Sequence, residues 1–239
     1  MKTPKAQQQI VDYLTVKATL KQHVYDRTLA AFSLLKEAMK ELTKSLGDSM
    51  KIDDKRVLPD YKDFGKFAAQ MQVSGDLLIC TMHTNIFEFD RDHKIWEIPY
   101  IKEDPLNSYC GIINVYNFLT DSFRYNRIKD LGYLIARIFV NRNDRFFVEG
   151  KRQMGFHYKN FGKLAISKEI FEKVMEKAIT YAVQFDLLVP PYDNVKITSV
   201  EQMSAKITRS VQQTGKRLGF QFNADDVLEE ENHSKNSDN

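Results

Sequence analysis

The N-terminal part of the chain carries apolar side chains at intervals of three and four residues, the pattern of an amphipathic helix. The stripe consists of Val11, Leu14, Ala18, Tyr25, Phe32, Leu35, Met39, Leu42 and Leu46. No glycine or proline interrupts residues 5–46, so the pattern predicts one helix on the order of 60 Å long. Gly47 follows directly, where a left-handed helix end favours glycine.

A helix of this length exceeds what a compact domain of this size needs, and three arrangements are open. The helix bends over a sheet, splits into two near residues 23–26, or pairs with a second copy to form a homodimer. Lys21 and Thr28 fall on the seam that a coiled coil would use. They favour packing on the protein's own sheet.

After a polar linker at residues 48–63 the period of apolar positions changes from 3.6 to 2, which is typical of strands. Strands are predicted at residues 67–73, 77–83, 86–90, 95–101, 133–140 and 145–152. Residues 110–119 fit a strand or a helix, because their periodicity does not distinguish the two.

The C-terminal part returns to helical spacing. Ser167 is a candidate N-cap, Pro190 and Pro191 end the helix, and a short strand at residues 195–198 precedes a last helix at residues 200–214. The predicted fold class is α+β, with a mostly antiparallel meandering sheet between N-terminal and C-terminal helices. The predicted divisions are an N-terminal helical segment (1–47), an α+β domain (48–222) and a disordered acidic tail (223–239).

The clearest pair of strands is the hairpin at residues 133–152. A three-residue loop at residues 142–144 gives one face only apolar side chains, namely Leu134, Ala136, Ile138, Val140, Phe146 and Val148. A loop with an even number of residues would mix Glu149 into that face, so burial selects the three-residue loop. Arg137 then lies opposite Glu149 on the other face, with Lys151 nearby, as a cross-strand ion pair would.

Composition and charge exclude several classes of protein. Two cysteines in 239 residues exclude a disulfide framework. No apolar run is long enough to span a bilayer, and the N-terminus lacks the apolar core of a secretory signal, so we expect a cytoplasmic protein without a membrane partner. The net charge is +3, with −5 in the tail 223–239 and therefore +8 in the body. Such a tail buries too little apolar surface to fold.

No glycine-rich phosphate loop or nucleophile elbow occurs, so the sequence predicts no cofactor and no catalytic serine or cysteine. One enzymatic alternative depends on the step Glu149-Gly150-Lys151, which resembles the strand motif of metal-dependent nucleases. Asp90 or Asp92 would supply the second carboxylate. Arg137 opposite Glu149 argues against a metal there, and ordinary turn chemistry explains the aspartates.

A basic stretch at residues 124–163 carries a net charge of +7 with aromatic residues between the cations. Cations neutralise phosphates and aromatic faces stack on unpaired bases, so this composition suits single-stranded nucleic acid or another polyanion. The candidate binding residues are Arg124, Arg127, Arg142, Arg145, Lys151 and Arg152.

Three stretches, at residues 87–101, 109–127 and 130–156, resemble an uncharacterised family of bacterial cytosolic proteins. The resemblance covers about residues 73–166 and implies a bacterial cytoplasmic origin, with no catalytic residue attached to it. The leading hypothesis is a non-enzymatic binding or interaction protein that binds a polyanion or nucleic acid through the basic hairpin region. The alternative is the nuclease-like enzyme that uses Asp90, Glu149 and Lys151.

Overall fold

The computed structural model describes residues 5–150, 156–184, 186–189 and 191–209. A long N-terminal helical rod opens the chain, as the apolar spacing predicts. Helix α1 (Lys5–Tyr13) continues through a π-helical turn (Leu14–Ala18) into helix α2 (Thr19–Ser49) without a break near residues 23–26. At 1.5 Å per residue the rod is about 65 Å long.

The end of the rod differs from the prediction. Gly47 stays inside α2, which ends at Ser49, and the Met50 N–H donates to the carbonyls of Leu46 and Gly47. The two glycines with positive φ in the described chain are Gly65 and Gly162, so Gly47 is not a left-handed cap. A terminating glycine is therefore not required here, because the backbone closes the last turn by itself.

A six-stranded sheet follows, antiparallel throughout and in chain order from edge to edge, which confirms the predicted α+β meander. Its strands are β1 (Asp60–Asp63), β2 (Ala68–Val73), β3 (Asp76–Met82), β4 (Cys110–Leu119), β5 (Tyr133–Asn141) and β6 (Phe146–Gly150). Residues 110–119, left open by their periodicity, form one of the two central strands. Strand β1 lies inside the predicted linker, because a short, charged edge strand has no apolar alternation to reveal it.

The strands predicted at residues 86–90 and 95–101 are wrong. Only Phe87 pairs with the sheet, at Cys110, and residues 94–108 form two 3₁₀ turns (Lys94–Glu97 and Pro105–Ser108) around helix α3 (Pro99–Glu103). Pro99 has no N–H for a ladder and suits the first turn of a helix. His93 and Asp104 accept hydrogen bonds from backbone N–H groups that open the two 3₁₀ turns.

Helix α4 (Thr120–Arg124), which the sequence did not predict, starts the loop between β4 and β5. The C-terminal helices begin where the sequence indicates, and helix α5 (Lys168–Val183) begins after Ser167, whose Oγ accepts the Ile170 N–H at 3.3 Å. The strand predicted at residues 195–198 is wrong, because helix α6 (Tyr192–Val195) occupies its start. Helix α7 (Val200–Arg209) follows. The predicted tail 223–239 lies outside the described residues.

Both faces of the sheet are covered. Helices α2 and α5 pack on one face and enclose the main core, in which Phe32, Leu35 and Phe171 are fully buried. The opposite face carries a smaller core beneath residues 86–108, with Phe139 and Phe147 at its centre. Helix α2, which begins within the predicted helical segment, thus shares its core with the sheet.

None of the helices in the described part of the chain combines the length and the apolar character that crossing a bilayer requires.

Candidate functional site

The hairpin of β5 and β6 has the predicted register. Arg137 pairs with Glu149 and Ile138 with Val148, and the Asn141 N–H donates to the Arg145 carbonyl at 3.0 Å. One detail differs, because a bulge shifts the pairing of β4 with β5 between Val115 and Tyr116.

The bulge changes which side chain enters the core. Ile135 is buried in the main core, and Leu134, which strict alternation assigns to that face, is only half-buried. A bulge adds one residue to a strand and therefore reverses the alternation beyond it.

Arg137 and Glu149 form an ion pair at the margin of the smaller core. The Glu149 side chain is 20% exposed and that of Arg137 41% exposed, so the pair is not on an open sheet face. The rings of Phe139 and Phe147 stack beside it at 4.7 Å, and Phe89 lies 4.9 Å from His93. Burial lowers the pKa of His93; Glu149 raises it and Arg137 lowers it by smaller amounts.

The residues of the nuclease-like alternative do not converge on a metal site in the described structure. The Glu149 carboxylate is bound by Arg137, and the Asp90 carbonyl accepts the Trp96 indole N–H at 2.7 Å in a turn. No group of three or more His, Cys, Asp or Glu side chains in the described ranges could hold a metal ion. Lys151 lies outside the described residues.

The predicted basic residues lie in two separate places. Arg124 and Arg127 belong to the loop between β4 and β5, whereas Arg142 and Arg145 flank the turn between β5 and β6. These loops are at opposite ends of β5, which spans about 25 Å. Lys151 and Arg152 lie outside the described residues. The four described arginines therefore do not form one continuous patch.

Three of these arginines are engaged in ion pairs within the protein. Arg124 pairs with Asp121 at 3.3 Å, Arg127 lies 3.8 Å from the buried Asp130 carboxylate, and Arg142 binds Asp104. Arg142 also donates to Asn107 Oδ1 at 3.2 Å. The Arg145 backbone N–H donates to Asn141 Oδ1 at 3.1 Å, which fixes the turn. Much of the local positive charge is thus neutralised inside the fold.

The N-terminal segment, defined as residues 5–18, has the most unusual surface. It contains no buried residue, although it carries five large apolar side chains. Their exposed fractions range from 49% to 69%, for Ile10, Val11, Tyr13, Leu14 and Val16. A cluster of exposed apolar side chains is typical of an interaction surface.

A second feature is an open cleft between α2 and the chain that follows β3, with a volume of about 520 Å³. This α2–loop cleft is lined by Lys21, Gln22, Tyr25, Thr84, Asn85, Ile86 and Phe87, none of which is acidic. Lys66 adds a further cation, since its ammonium group lies 5.4 Å from the centroid of the Tyr25 ring.

The two cysteines are packed in the core and do not form a reactive site. Both are free and fully buried. Burial raises the pKa of Cys80 to about 12 and raises that of Cys110 as well, so neither is a thiolate at neutral pH.

Sequence reasoning missed the α2–loop cleft because its two walls are about 60 residues apart in the chain. Lys21 and Tyr25 share one helix face at a spacing of four residues, and this was the only local signal. The exposure of the N-terminal segment could not be predicted for another reason. Its apolar side chains have the same spacing as the buried stripe of α2.

Comparison with known proteins adds no constraint on function: no protein-family model, no curated protein and no solved structure matches this chain.

Proposed function

We propose that this protein is a non-enzymatic interaction protein that assembles through its N-terminal segment, with a second copy of the chain as the partner. The observation that carries this proposal is the exposed apolar stripe on residues 5–18, on a helix that continues directly into the core. The α+β body then serves as a scaffold that holds this helix outward.

A second copy suits the chemistry of the segment. Lys5, Asp12 and Lys17 are its charged residues, so two copies meet with little like-charge repulsion. Glutamines at positions 7–9 provide uncharged polar neighbours for the stripe. An amphipathic helix is self-complementary about a two-fold axis, because each copy offers the same apolar face to the other.

The π-helical turn lies at the junction with the body. A π turn inserts one residue into the helical register and often marks functional positions. Here it separates the segment without buried residues from α2, where Leu20 and Val24 begin the packed surface. The turn therefore sets the direction in which the apolar stripe faces, independently of the buried face of α2.

Binding of a polyanion through the basic hairpin region has weaker support, because three of its arginines have partners within the fold. A cytoplasmic location remains part of the proposal. Two free, buried thiols suit a reducing compartment.

Leu14→Asp tests the assembly. We expect this substitution to lower the sedimentation-derived mass from that of a dimer to that of a monomer, because a charge enters the shared apolar seam. Thermal unfolding of the monomer should change little, since Leu14 is 61% exposed. Sedimentation equilibrium over a range of protein concentrations measures both states.

The matched control is Gln9→Asp, which adds the same charge on the polar side of α1 and should leave the dimer intact. A wild-type protein that stays monomeric at high concentration would contradict the proposal. Equal dissociation by the two variants would contradict it too, because general charge repulsion would then explain the result.

A further inference from the structure

The α2–loop cleft has the composition of an anion site. One wall is Lys21, Gln22 and Tyr25 on α2, and the other is residues 84–87. Lys66 lies over the Tyr25 ring, with its ammonium group 5.4 Å from the ring centroid. Cations without a lining carboxylate favour an anionic ligand.

Both walls are held in place before any ligand arrives. The His83 N–H donates to the Ile112 carbonyl, and Phe87 exchanges two 2.9 Å backbone hydrogen bonds with Cys110. Residues 84–86 are therefore a short excursion between two fixed points of the sheet. On the other side, Leu20 and Val24 pack with Ile86 in a small core beneath the cleft. A preformed site avoids the ordering cost of binding.

The lining of the cleft combines a cation, an aromatic ring and uncharged polar groups. A lysine ammonium group binds phosphate as a point charge. Phe87 is 37% exposed and presents a ring on which a planar base can stack. Gln22, Thr84 and Asn85 supply amide and hydroxyl groups that can hydrogen-bond a base edge or a sugar. A volume of about 520 Å³ admits a nucleotide and is too small for a duplex.

We infer that the α2–loop cleft binds a nucleotide unit, with the phosphate near Lys21 and Lys66 and the base against Phe87. The unit belongs either to a free mononucleotide or to a single strand. This inference is independent of the proposed self-assembly, because the cleft lies beyond the N-terminal segment. It also differs from the basic hairpin region, since it uses none of the arginines of residues 124–145.

Isothermal titration calorimetry with the full chain tests the inference, with thymidine monophosphate and a short oligothymidylate as separate probes in low salt. We expect saturable binding of at least one probe. Much tighter binding of the oligonucleotide identifies the strand as the ligand, and comparable binding identifies the free nucleotide. Either outcome supports the site, and the absence of binding by both probes overturns it.

Charge reversal locates the site. Lys21→Glu should weaken binding by about tenfold or more, because a phosphate contact is replaced by repulsion. Lys21→Gln should make the dependence of log affinity on log salt shallower by about 0.7 for the single strand. The matched control is Lys44→Glu, an equal charge change at an exposed position of α2 outside the cleft. Equal weakening by Lys21→Glu and Lys44→Glu would overturn the assignment.

The base position has its own variant. Phe87→Ala should weaken binding by about fivefold or more through lost stacking. Phe64→Ala removes a ring that is 59% exposed and does not line the cleft, so its effect should be absent. Competition by inorganic phosphate as strong as that by thymidine monophosphate would overturn the inference, because no base would then be recognised. Sedimentation equilibrium of Lys21→Glu should show the same self-association as the wild-type protein. A loss of nucleotide binding in this variant is then distinguished from a loss of self-assembly.

Discussion

The two halves of the N-terminal rod carry the same apolar spacing and meet opposite environments. In α2, Phe32, Leu35 and Met39 are completely buried against the sheet. In the N-terminal segment, Ile10 and Leu14 are more than half exposed. The comparison shows that helical periodicity identifies the apolar face of a helix. It does not identify which element or chain packs on that face.

The boundary between the halves is set by the sheet and its connections. The body ends near Leu20 and Val24, which contact Tyr109, Ile86 and Leu106. Beyond this cluster the rod has no sheet beneath it. The arrangements left open by the sequence, packing on its own sheet and pairing with a second copy, therefore apply to different halves: α2 packs on the sheet, and pairing is our proposal for residues 5–18.

The largest effect should come from a charge placed in the buried half. Leu35→Asp removes a fully buried side chain and leaves an unpaired charge, so we expect a loss of more than about 5 kcal/mol and an unfolded protein. Circular dichroism and thermal melts measure the result. Leu14→Asp, the same change in the exposed half, should remain folded. A folded Leu35→Asp monomer would contradict the burial of this half.

A smaller effect should follow from crowding the contact between α2 and β4. A Cβ atom on Gly111 would overlap the Thr28 side chain, which is fully buried and donates to the Val24 carbonyl at 2.7 Å. We expect Gly111→Ala to lower the free energy of unfolding by about 1–3 kcal/mol. Chemical denaturation measures this loss.

The double variant Gly111→Ala with Thr28→Ala sharpens that result. Removal of the Thr28 hydroxyl and methyl groups relieves part of the overlap, so the two effects should be less than additive. Strict additivity would show that α2 does not approach β4 at this point.

The smallest effect on stability should come from the junction of the N-terminal segment with α2. Insertion of one alanine between Ala18 and Thr19 turns the N-terminal segment by about 100° relative to α2. Because residues 5–18 have no buried member, the free energy of unfolding of the monomer should change by less than about 0.5 kcal/mol. Sedimentation equilibrium should nevertheless show weaker self-association.

Insertion of one alanine between Gln8 and Gln9 is the control for this change, since it lengthens the segment ahead of the stripe and leaves the stripe in register with α2. A large loss of thermal stability in the Ala18–Thr19 insertion alone would show that the N-terminal segment packs on the body.

The candidate sites illustrate the limit of local reasoning. The pairing of Arg137 with Glu149 was predictable, because alternation and a three-residue turn leave one register that buries the apolar face. The separation of the basic residues was not predictable. Arg124 precedes β5 and Arg142 follows it, so the two arginines lie at opposite ends of this strand. The α2–loop cleft was also invisible, because only the packing of α2 on the sheet brings Lys21 to Phe87.

The sequence by itself determined the rod, the hairpin register, the cap at Ser167 and the α+β class, because each depends on periodicity or on hydrogen bonds between residues close in the chain. The tertiary structure decided the strand at residues 110–119, the helix and turns at residues 94–108, and the bulge that buries Ile135. For the strand and the bulge, burial on both faces of the sheet outweighs local preference. The tertiary structure also decided which half of one continuous apolar stripe is buried, because burial depends on where the sheet beneath the helix ends.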